Sequence, residues 1–180
     1  MATYVVLLRG INVGGNKRIK MSDLREALTA VGIEDPRTLL QSGNVVVESN
    51  ADTAALVDIV ETTIQSTFGF HSSVIVRTAD EIRELLANHP FTAEQIEDGR
   101  FAHVGFCRDN PDRDGFESLH EAHEGPEEMR LVGRELFVYY PDGSGGSKLT
   151  NSVIEKHLAT PTTSRNWNTV EKINAMLEAR

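Results

Sequence analysis

Residues Arg9–Met21 constrain the fold most strongly, because a glycine-rich turn there separates an apolar strand from a helix. Thr3–Leu8 is β-branched and aliphatic, with no polar break after Tyr4, which predicts a buried central strand. From Leu24 to Val31 apolar residues recur at helical spacing, after an expected N-cap at Ser22. The chain is therefore predicted to begin with a β-α unit whose connection is basic and rich in glycine.

Periodicity after this helix predicts two strands, a helix, a strand and a further helix. The two strands form a hairpin across Ser42-Gly43-Asn44, where glycine supplies a positive φ. The order β-α-β-β-α-β predicts a split βαβ, or ferredoxin-like, subdomain. The predicted elements are strands 38–41 and 45–48, a helix from Thr53 to Gly69, strand 73–77 and a helix opened by a capping box at Thr78–Glu81.

The second half repeats the order strand, helix, hairpin, helix at an offset of roughly a hundred residues. This repetition predicts an α+β fold of two related subdomains, 1–90 and 91–180, produced by internal duplication; one compact unit is the alternative. The predicted elements are a helical turn at 92–98, strand 101–107, helix 112–123, a hairpin of strands 129–132 and 135–140, a helix 148–158 capped by Ser147, a polar turn at 162–166 and a last helix over Val170, Ile173 and Leu177.

Charge and composition narrow the class of protein. The net charge is -9, and residues 80–135 account for all of it, with 15 acidic and six basic side chains. Broad nucleic-acid binding is therefore not expected, although a small local anion site is allowed. The single cysteine, Cys107, favours a reducing compartment, and the N-terminal apolar run is too short for a signal peptide or a membrane span. We expect a cytoplasmic protein with no membrane partner; its oligomeric state is not indicated.

The first glycine-rich turn is a candidate anion site. In a split βαβ unit, the end of the first strand and the following hairpin lie on one edge of the sheet. Glycine N–H groups, basic side chains and an asparagine would there form an anion-binding concavity; the alternative is a tight crossover that merely needs glycine. The candidate residues are Arg9, Asn12, Gly14, Gly15, Lys17, Ser42, Gly43 and Asn44.

A second glycine-rich loop, residues 143–148, follows a strand and precedes a helix, which is the setting of phosphate-binding loops. The P-loop pattern itself fails, because Ser147 replaces its second glycine and Leu149 replaces its metal-binding hydroxyl. Ser147 and Lys148 are therefore candidates for an anion pocket of another kind. The alternative is a surface loop with an ordinary helix cap.

The segment Arg165-Asn166-Trp167 holds the single tryptophan of the chain. Trp167 would stack on a planar ring of the ligand, Arg165 would bind an anionic group, and Asn166 would provide a side-chain amide. In the alternative, Trp167 anchors the last helix on the core.

Metal and nucleophile motifs are weak. His120 and His123 are three residues apart, so the H-E-x-x-H spacing is absent, and no metal site is predicted. Cys107 ends a strand and is expected to be a buried small residue. We find no nucleophile triad, carboxylate pair or dinucleotide fingerprint, so no cofactor is indicated.

Four segments resemble a bacterial family called domain of unknown function 1697. They are Leu8-Arg9-Gly10-Ile11-Asn12-Val13-Gly14-Gly15, Gln41-Ser42-Gly43-Asn44, Ser147-Lys148 and Thr163-Ser164-Arg165-Asn166-Trp167-Asn168-Thr169. The resemblance spans nearly the whole chain and implies an α+β fold of two related subdomains. It implies no activity, so no catalytic residue is carried over.

Three functions are open at this point. The first is binding of a small anionic or nucleotide-like ligand at the glycine-rich loops. The second is an enzyme in which Lys148 or Arg165 stabilises developing negative charge, although no general base is identified. The third is a protein-interaction scaffold in which these motifs are only structural turns.

Overall fold

Two four-stranded antiparallel sheets, each flanked by helices, organise the fold. The computed structural model describes residues 1–179. Unit 1 contains residues Met1–Ala87 and the chain from Lys172 onward, and unit 2 contains Asn88–Glu171. The predicted α+β class with two ferredoxin-like subdomains is confirmed.

Unit 1 has the sheet order β2-β3-β1-β4, and every neighbouring pair is antiparallel. Strand β3 lies between β1 and β2, and β1 lies between β3 and β4, so both crossovers are split βαβ connections. The elements are β1 (Ala2–Leu8), α1 (Met21–Ala30), β2 (Glu34–Leu39), β3 (Asn44–Ser49), α2 (Thr53–Phe68), β4 (Val74–Thr78) and α3 (Ala79–Ala87).

The apolar run of β1 reflects its central place in this sheet. Tyr4, Val6 and Leu8 pack in a core with buried residues of α1 and α2. Val5 and Leu7 alternate with them on the opposite face and are also fully buried. Because both faces are covered, the strand is continuously apolar instead of alternating with polar residues.

Helix ends in unit 1 follow the predictions with one exception. Helix α2 begins at Thr53 as predicted, after Asp52, which accepts a hydrogen bond from the Ala55 N–H at 2.8 Å. The capping box at Thr78–Glu81 is confirmed by reciprocal bonds of 2.7 and 3.1 Å. The predicted cap at Ser22 is wrong, because α1 begins at Met21 and the Ser22 hydroxyl donates to Asp23.

Unit 2 repeats the same topology, with the sheet order β6-β7-β5-β8 and only antiparallel neighbours. Its last helix, α7, begins in unit 2 and ends in unit 1. The elements are α4 (Ala93–Glu97), β5 (Ala102–Cys107), α5 (Arg113–Ala122), β6 (Glu128–Val132), β7 (Glu135–Tyr139), α6 (Asn151–Leu158), β8 (Thr162–Asn166) and α7 (Trp167–Glu178).

The predicted polar turn at 162–166 is wrong, since these residues form β8 at the edge of the second sheet. They pair with β5 from Thr162 opposite Cys107 to Asn166 opposite His103. A Thr-Thr-Ser-Arg-Asn segment has no aliphatic side chain, and its strand conformation depends on this pairing and on burial of its threonines.

Within residues 1–179, no helix combines the length and the apolarity needed to cross a membrane. The 16-residue helix α2 is shorter than the roughly 20 residues that a span requires.

Candidate functional site

A pocket of about 670 Å³ in unit 2 is the candidate functional site. It opens between the end of α5, the turn that follows it, Asp142 with the glycine-rich loop at 143–148, and helix α6. Its volume falls in the range of small-molecule sites. Ser147 and Lys148, predicted as ligand contacts, both line this pocket.

The pocket is organised around a histidine–glutamate pair. Helix α5 buries Phe116 and Leu119 in the core of unit 2, and His123 caps its C-terminal end by donating its N–H to the Leu119 carbonyl. The chain then turns and returns toward β6 through Glu127. The two side chains meet with 2.7 Å between His123 Nε2 and Glu127 Oε2, and they are only 11% and 7% exposed.

The glycine-rich loop is joined to the same carboxylate. The Ser147 hydroxyl donates to Glu127 Oε1 and accepts from the Leu149 N–H at 3.0 Å. The predicted helix start at Ser147 is wrong, because α6 begins at Asn151 with Thr150 as its cap. Leu149, between the loop and the helix, is buried in the core of unit 2.

Gly125 is required by the packing of the pair. A Cβ atom at this position would lie 2.1 Å from Glu127 Oε2 and 2.6 Å from His123 Nε2. Any larger residue would therefore displace one of the two side chains.

Glu127 is ionised at neutral pH. Burial raises the pKa of this carboxyl, but hydrogen bonds from Ser147 and His123 outweigh burial and hold the pKa below its usual range. Burial, with a smaller contribution from the charge of Glu127, raises the pKa of Tyr140 to about 12. The buried Tyr140 hydroxyl donates to the Leu149 carbonyl at 3.3 Å.

The two histidines at the pocket have defined tautomers. A carbonyl oxygen only accepts, so His157 Nδ1, 2.9 Å from the Val153 carbonyl, carries the hydrogen and leaves Nε2 as an acceptor. His123 directs Nε2 at the carboxylate, and its Nδ1 has no hydrogen-bond partner within residues 1–179. Both rings therefore offer an acceptor nitrogen when neutral.

The charge of the pocket wall is mixed. Among the described residues that line it, Glu124, Glu127 and Asp142 are carboxylates and Lys148 is a cation. Nowhere in residues 1–179 do three or more His, Cys, Asp or Glu side chains form a group that could hold a metal ion.

The first glycine-rich turn lies in unit 1, and its adjacency to the hairpin is confirmed. Asn12 Nδ2 donates to the Gln41 carbonyl at 2.7 Å and to the Ile19 carbonyl at 2.9 Å, and Asn12 Oδ1 accepts from the Ile19 N–H. Gly14 and Gly15 have positive φ within the tight turn between Val13 and Asn16.

Other candidates near this turn are also bonded to protein. Lys17 Nζ donates to the His71 carbonyl at 2.8 Å, and the Arg9 carbonyl accepts from the Ser72 hydroxyl. Asn44 Nδ2 donates to the Leu39 carbonyl and to Ser42 Oγ. Gly43 has φ +78°, and a Cβ there would lie 2.7 Å from Ile11 Cδ1. These contacts shape the turn, and a ligand role for it stays a prediction.

Arg165 lies on β8 and is 7% exposed. It donates to Thr163 Oγ1 at 2.8 Å and to the Ser164 carbonyl at 2.9 Å, and burial lowers its pKa to about 10. Arg77 occupies the equivalent position on β4, is 2% exposed and donates to the preceding carbonyl of Val76. The repeated arginine indicates a structural position shared by both sheets.

Asn166 and Trp167 connect β8 to α7. The Asn166 Oδ1 accepts from both the N–H and the hydroxyl of Thr169, which caps the helix. Trp167 is 2% exposed, and its ring lies 4.6 Å from His89 and 5.6 Å from Phe91 in edge contacts. These contacts support the anchoring role, and ligand stacking on Trp167 stays a prediction.

Sequence reasoning did not identify His123 and Glu127 as partners. In the sequence, His123 stood out only as a metal-ligand candidate together with His120, which is exposed. The useful signal is the spacing of His123 and Glu127 across a Gly-Pro turn, because such a turn allows two side chains four residues apart to meet.

Comparisons with known proteins agree with this architecture. The chain is similar to a solved structure described as the conserved bacterial protein SP0830 from Streptococcus pneumoniae, with 27% identity, 98% coverage of both chains and a TM-score of 0.74. No curated protein matches the chain. Residues 1–137 match the family described as "Protein of unknown function (DUF1697)". The protein therefore belongs to this family, as the loop motifs predicted.

Proposed function

We propose that the pocket of unit 2 binds a small polar ligand that combines a negative group with hydrogen-bond-donating or positive groups. The observation that carries this proposal is the mixed wall, in which Lys148 and a glycine-rich loop share one cavity with Glu124, Glu127 and Asp142. Ligands of this kind include nucleotide-like molecules and zwitterionic metabolites.

The negative group is expected at the loop. Lys148 is exposed and brings positive charge to the pocket. Gly146 lines the pocket, and its N–H has no acceptor in the described part of the chain, so it is available to an anion. A backbone N–H beside a lysine is a common arrangement for binding phosphate or carboxylate groups.

The donating groups are expected at the carboxylates. A purely anionic ligand would face three carboxylates against one lysine, which is unfavourable at the short distances inside a pocket. Glu124 and Asp142 are exposed and accept hydrogen bonds from amines or amides. The ligand is therefore expected to carry both a negative group and hydrogen-bond-donating or positive groups.

Thermal unfolding in the presence of nucleotides, amino acids and phosphorylated amines tests the proposal. A ligand at a hundred times its Kd adds about 2.7 kcal/mol, which for a chain of this length is a shift of roughly 5–10 °C. We expect Lys148→Ala and Asp142→Asn to reduce the shift. The control is Lys156→Ala, which removes an exposed lysine of α6 that does not line the pocket.

Two outcomes would contradict the proposal. One is a shift that Lys148→Ala and Asp142→Asn leave intact but Lys17→Ala abolishes, which would place binding at the turn of unit 1. The other is the absence of a shift with every compound tested.

A further inference from the structure

We infer that the pocket is also catalytic, with His123 as a general base that activates water for attack on a carbonyl carbon of the bound ligand. This inference rests on the proposed function, because it requires that a ligand enters the pocket of unit 2. It supplies the general base that sequence reasoning did not identify for the enzyme hypothesis. The substrate class is an ester or amide of a small polar molecule.

The geometry of His123 is that of an oriented base. Its Nε2 lies 2.7 Å from a buried carboxylate, which fixes the ring and keeps the hydrogen on Nε2. Glu127 is itself held by the Ser147 hydroxyl, and Gly125 leaves room for the pair. Because the hydrogen is on Nε2, Nδ1 carries a lone pair. This nitrogen has no protein partner within residues 1–179, so it can accept a proton.

Ser147 is not the nucleophile in this arrangement. Its hydroxyl donates to Glu127 instead of to His123, and its oxygen also accepts from the Leu149 N–H. In a serine hydrolase the hydroxyl would bond to the imidazole, which removes its proton. Water is therefore the nucleophile that His123 can activate.

The positive groups of the glycine-rich loop fit the charge that develops during the reaction. Addition of water makes the carbonyl oxygen negative, and donors already in place stabilise that charge. Lys148 and Gly146, whose N–H has no acceptor within residues 1–179, line the same pocket as His123. Lys148 thus has the charge-stabilising role considered from the sequence, whereas Arg165 lies buried on β8.

The reaction balances as a hydrolysis. His123 Nδ1 takes a proton from water while the water oxygen forms a bond to the carbonyl carbon, and the π electron pair moves to the carbonyl oxygen. The tetrahedral intermediate then re-forms the C=O bond and breaks the bond to the leaving group. The leaving group takes the proton from His123 Nδ1, which returns the imidazole to its neutral state. The products are an acid and an alcohol or amine.

Hydrolysis of p-nitrophenyl acetate by the 180-residue chain tests the inference, with His123→Asn compared against His120→Asn. General-base catalysis contributes roughly 10²–10⁴-fold, so we expect the first variant to lose a factor in that range. His120 is exposed in the last turn of α5 and does not line the pocket, so its variant should keep the rate. Equal rates in the two variants would overturn the inference.

Two further measurements separate the role of each group. Glu127 is a positioning residue, so Glu127→Gln should lower kcat with little change in KM, whereas an unchanged kcat would contradict that role.

The wild-type rate should fall in D₂O, because a proton leaves water in the transition state. An equal rate would indicate direct attack by the imidazole and overturn the mechanism.

Chemical modification of the wild-type protein avoids the possibility that a variant loses activity because it misfolds. Diethyl pyrocarbonate acylates neutral imidazole, so modification of His123 should abolish hydrolysis and hydroxylamine should restore it. Retained hydrolysis after complete modification of His123 would overturn the inference. A ligand-induced thermal shift without any hydrolysis would reject catalysis but keep the binding proposal, whereas loss of both would reject the two together.

Discussion

Replacement of Gly115 by alanine tests how closely α5 and α6 approach each other. A Cβ at Gly115 would lie 1.9 Å from the carbonyl oxygen of His157 and 2.9 Å from its carbonyl carbon. Non-bonded heavy atoms pack favourably at about 3.5–4.0 Å, so the two helices would have to separate by roughly 1.5 Å or more. The clashing oxygen of His157 is a backbone atom, so rotation of a side chain does not relieve the contact.

The expected cost follows from two opposing effects. Alanine in place of glycine stabilises a helix by up to about 1 kcal/mol. Overpacking costs about 1–3 kcal/mol and more where backbone must move. The separation also strains the hydrogen bond of 2.9 Å from the Asp112 N–H to the Leu158 carbonyl, which joins the same two helices. We expect a net loss of about 2 kcal/mol in the free energy of unfolding.

Thermal unfolding followed by circular dichroism measures this loss. For a chain of this length 2 kcal/mol corresponds to a fall in Tm of roughly 4–8 °C. Gly145→Ala is the matched control, because no heavy atom lies within 4 Å of its added Cβ. If Gly115→Ala raised Tm, helix propensity would dominate and the close approach of the two helices would be refuted.

Two further predictions concern Glu127 and Asn12. Because the folded pKa of Glu127 lies below the ordinary value of 4.5, its contribution to stability is present above that pH and is lost as the pH falls below it. Denaturant titrations should show a smaller acid loss for Glu127→Gln than for wild type; equal acid profiles would contradict this. Asn12→Ala removes three hydrogen bonds of the first turn and should cost about 2–4 kcal/mol, whereas the exposed Asn16→Ala should be near neutral. Equal midpoints for the two asparagine variants in urea would show that Asn12 does not hold the turn.

The fold was largely predictable, because the spacing of apolar residues indicates most strands and helices and the glycines mark where several of them end. The run at Thr3–Leu8 identified a central strand, and Thr53 and Gly69 marked the ends of α2. Strand β8 was not predictable in the same way, because residues 162–166 are polar and become a strand only by pairing with β5. The two sheets share one topology, and their origin by duplication stays a prediction.

The site was predictable only in part. The glycine-rich loop and Lys148 stood out because their composition is local, and both line the pocket. The central contact, between Glu127 and Ser147, joins residues 20 positions apart, so it depends on where β6 and the loop are placed in the folded unit. A local pattern does not contain that placement. The cytoplasmic location, inferred from Cys107, stays a prediction.

The discontinuity of unit 1 affects how the chain folds during synthesis. Residues from Lys172 onward belong to this unit, although the 84 residues of unit 2 separate them from Ala87. They include the buried Ile173 and Leu177, and Glu178, which pairs with Arg83 at 3.0 Å. At about 5–20 residues per second a ribosome needs several seconds to make the intervening segment. Most of unit 1 therefore emerges first, but the unit is completed only after all of unit 2 has been synthesised.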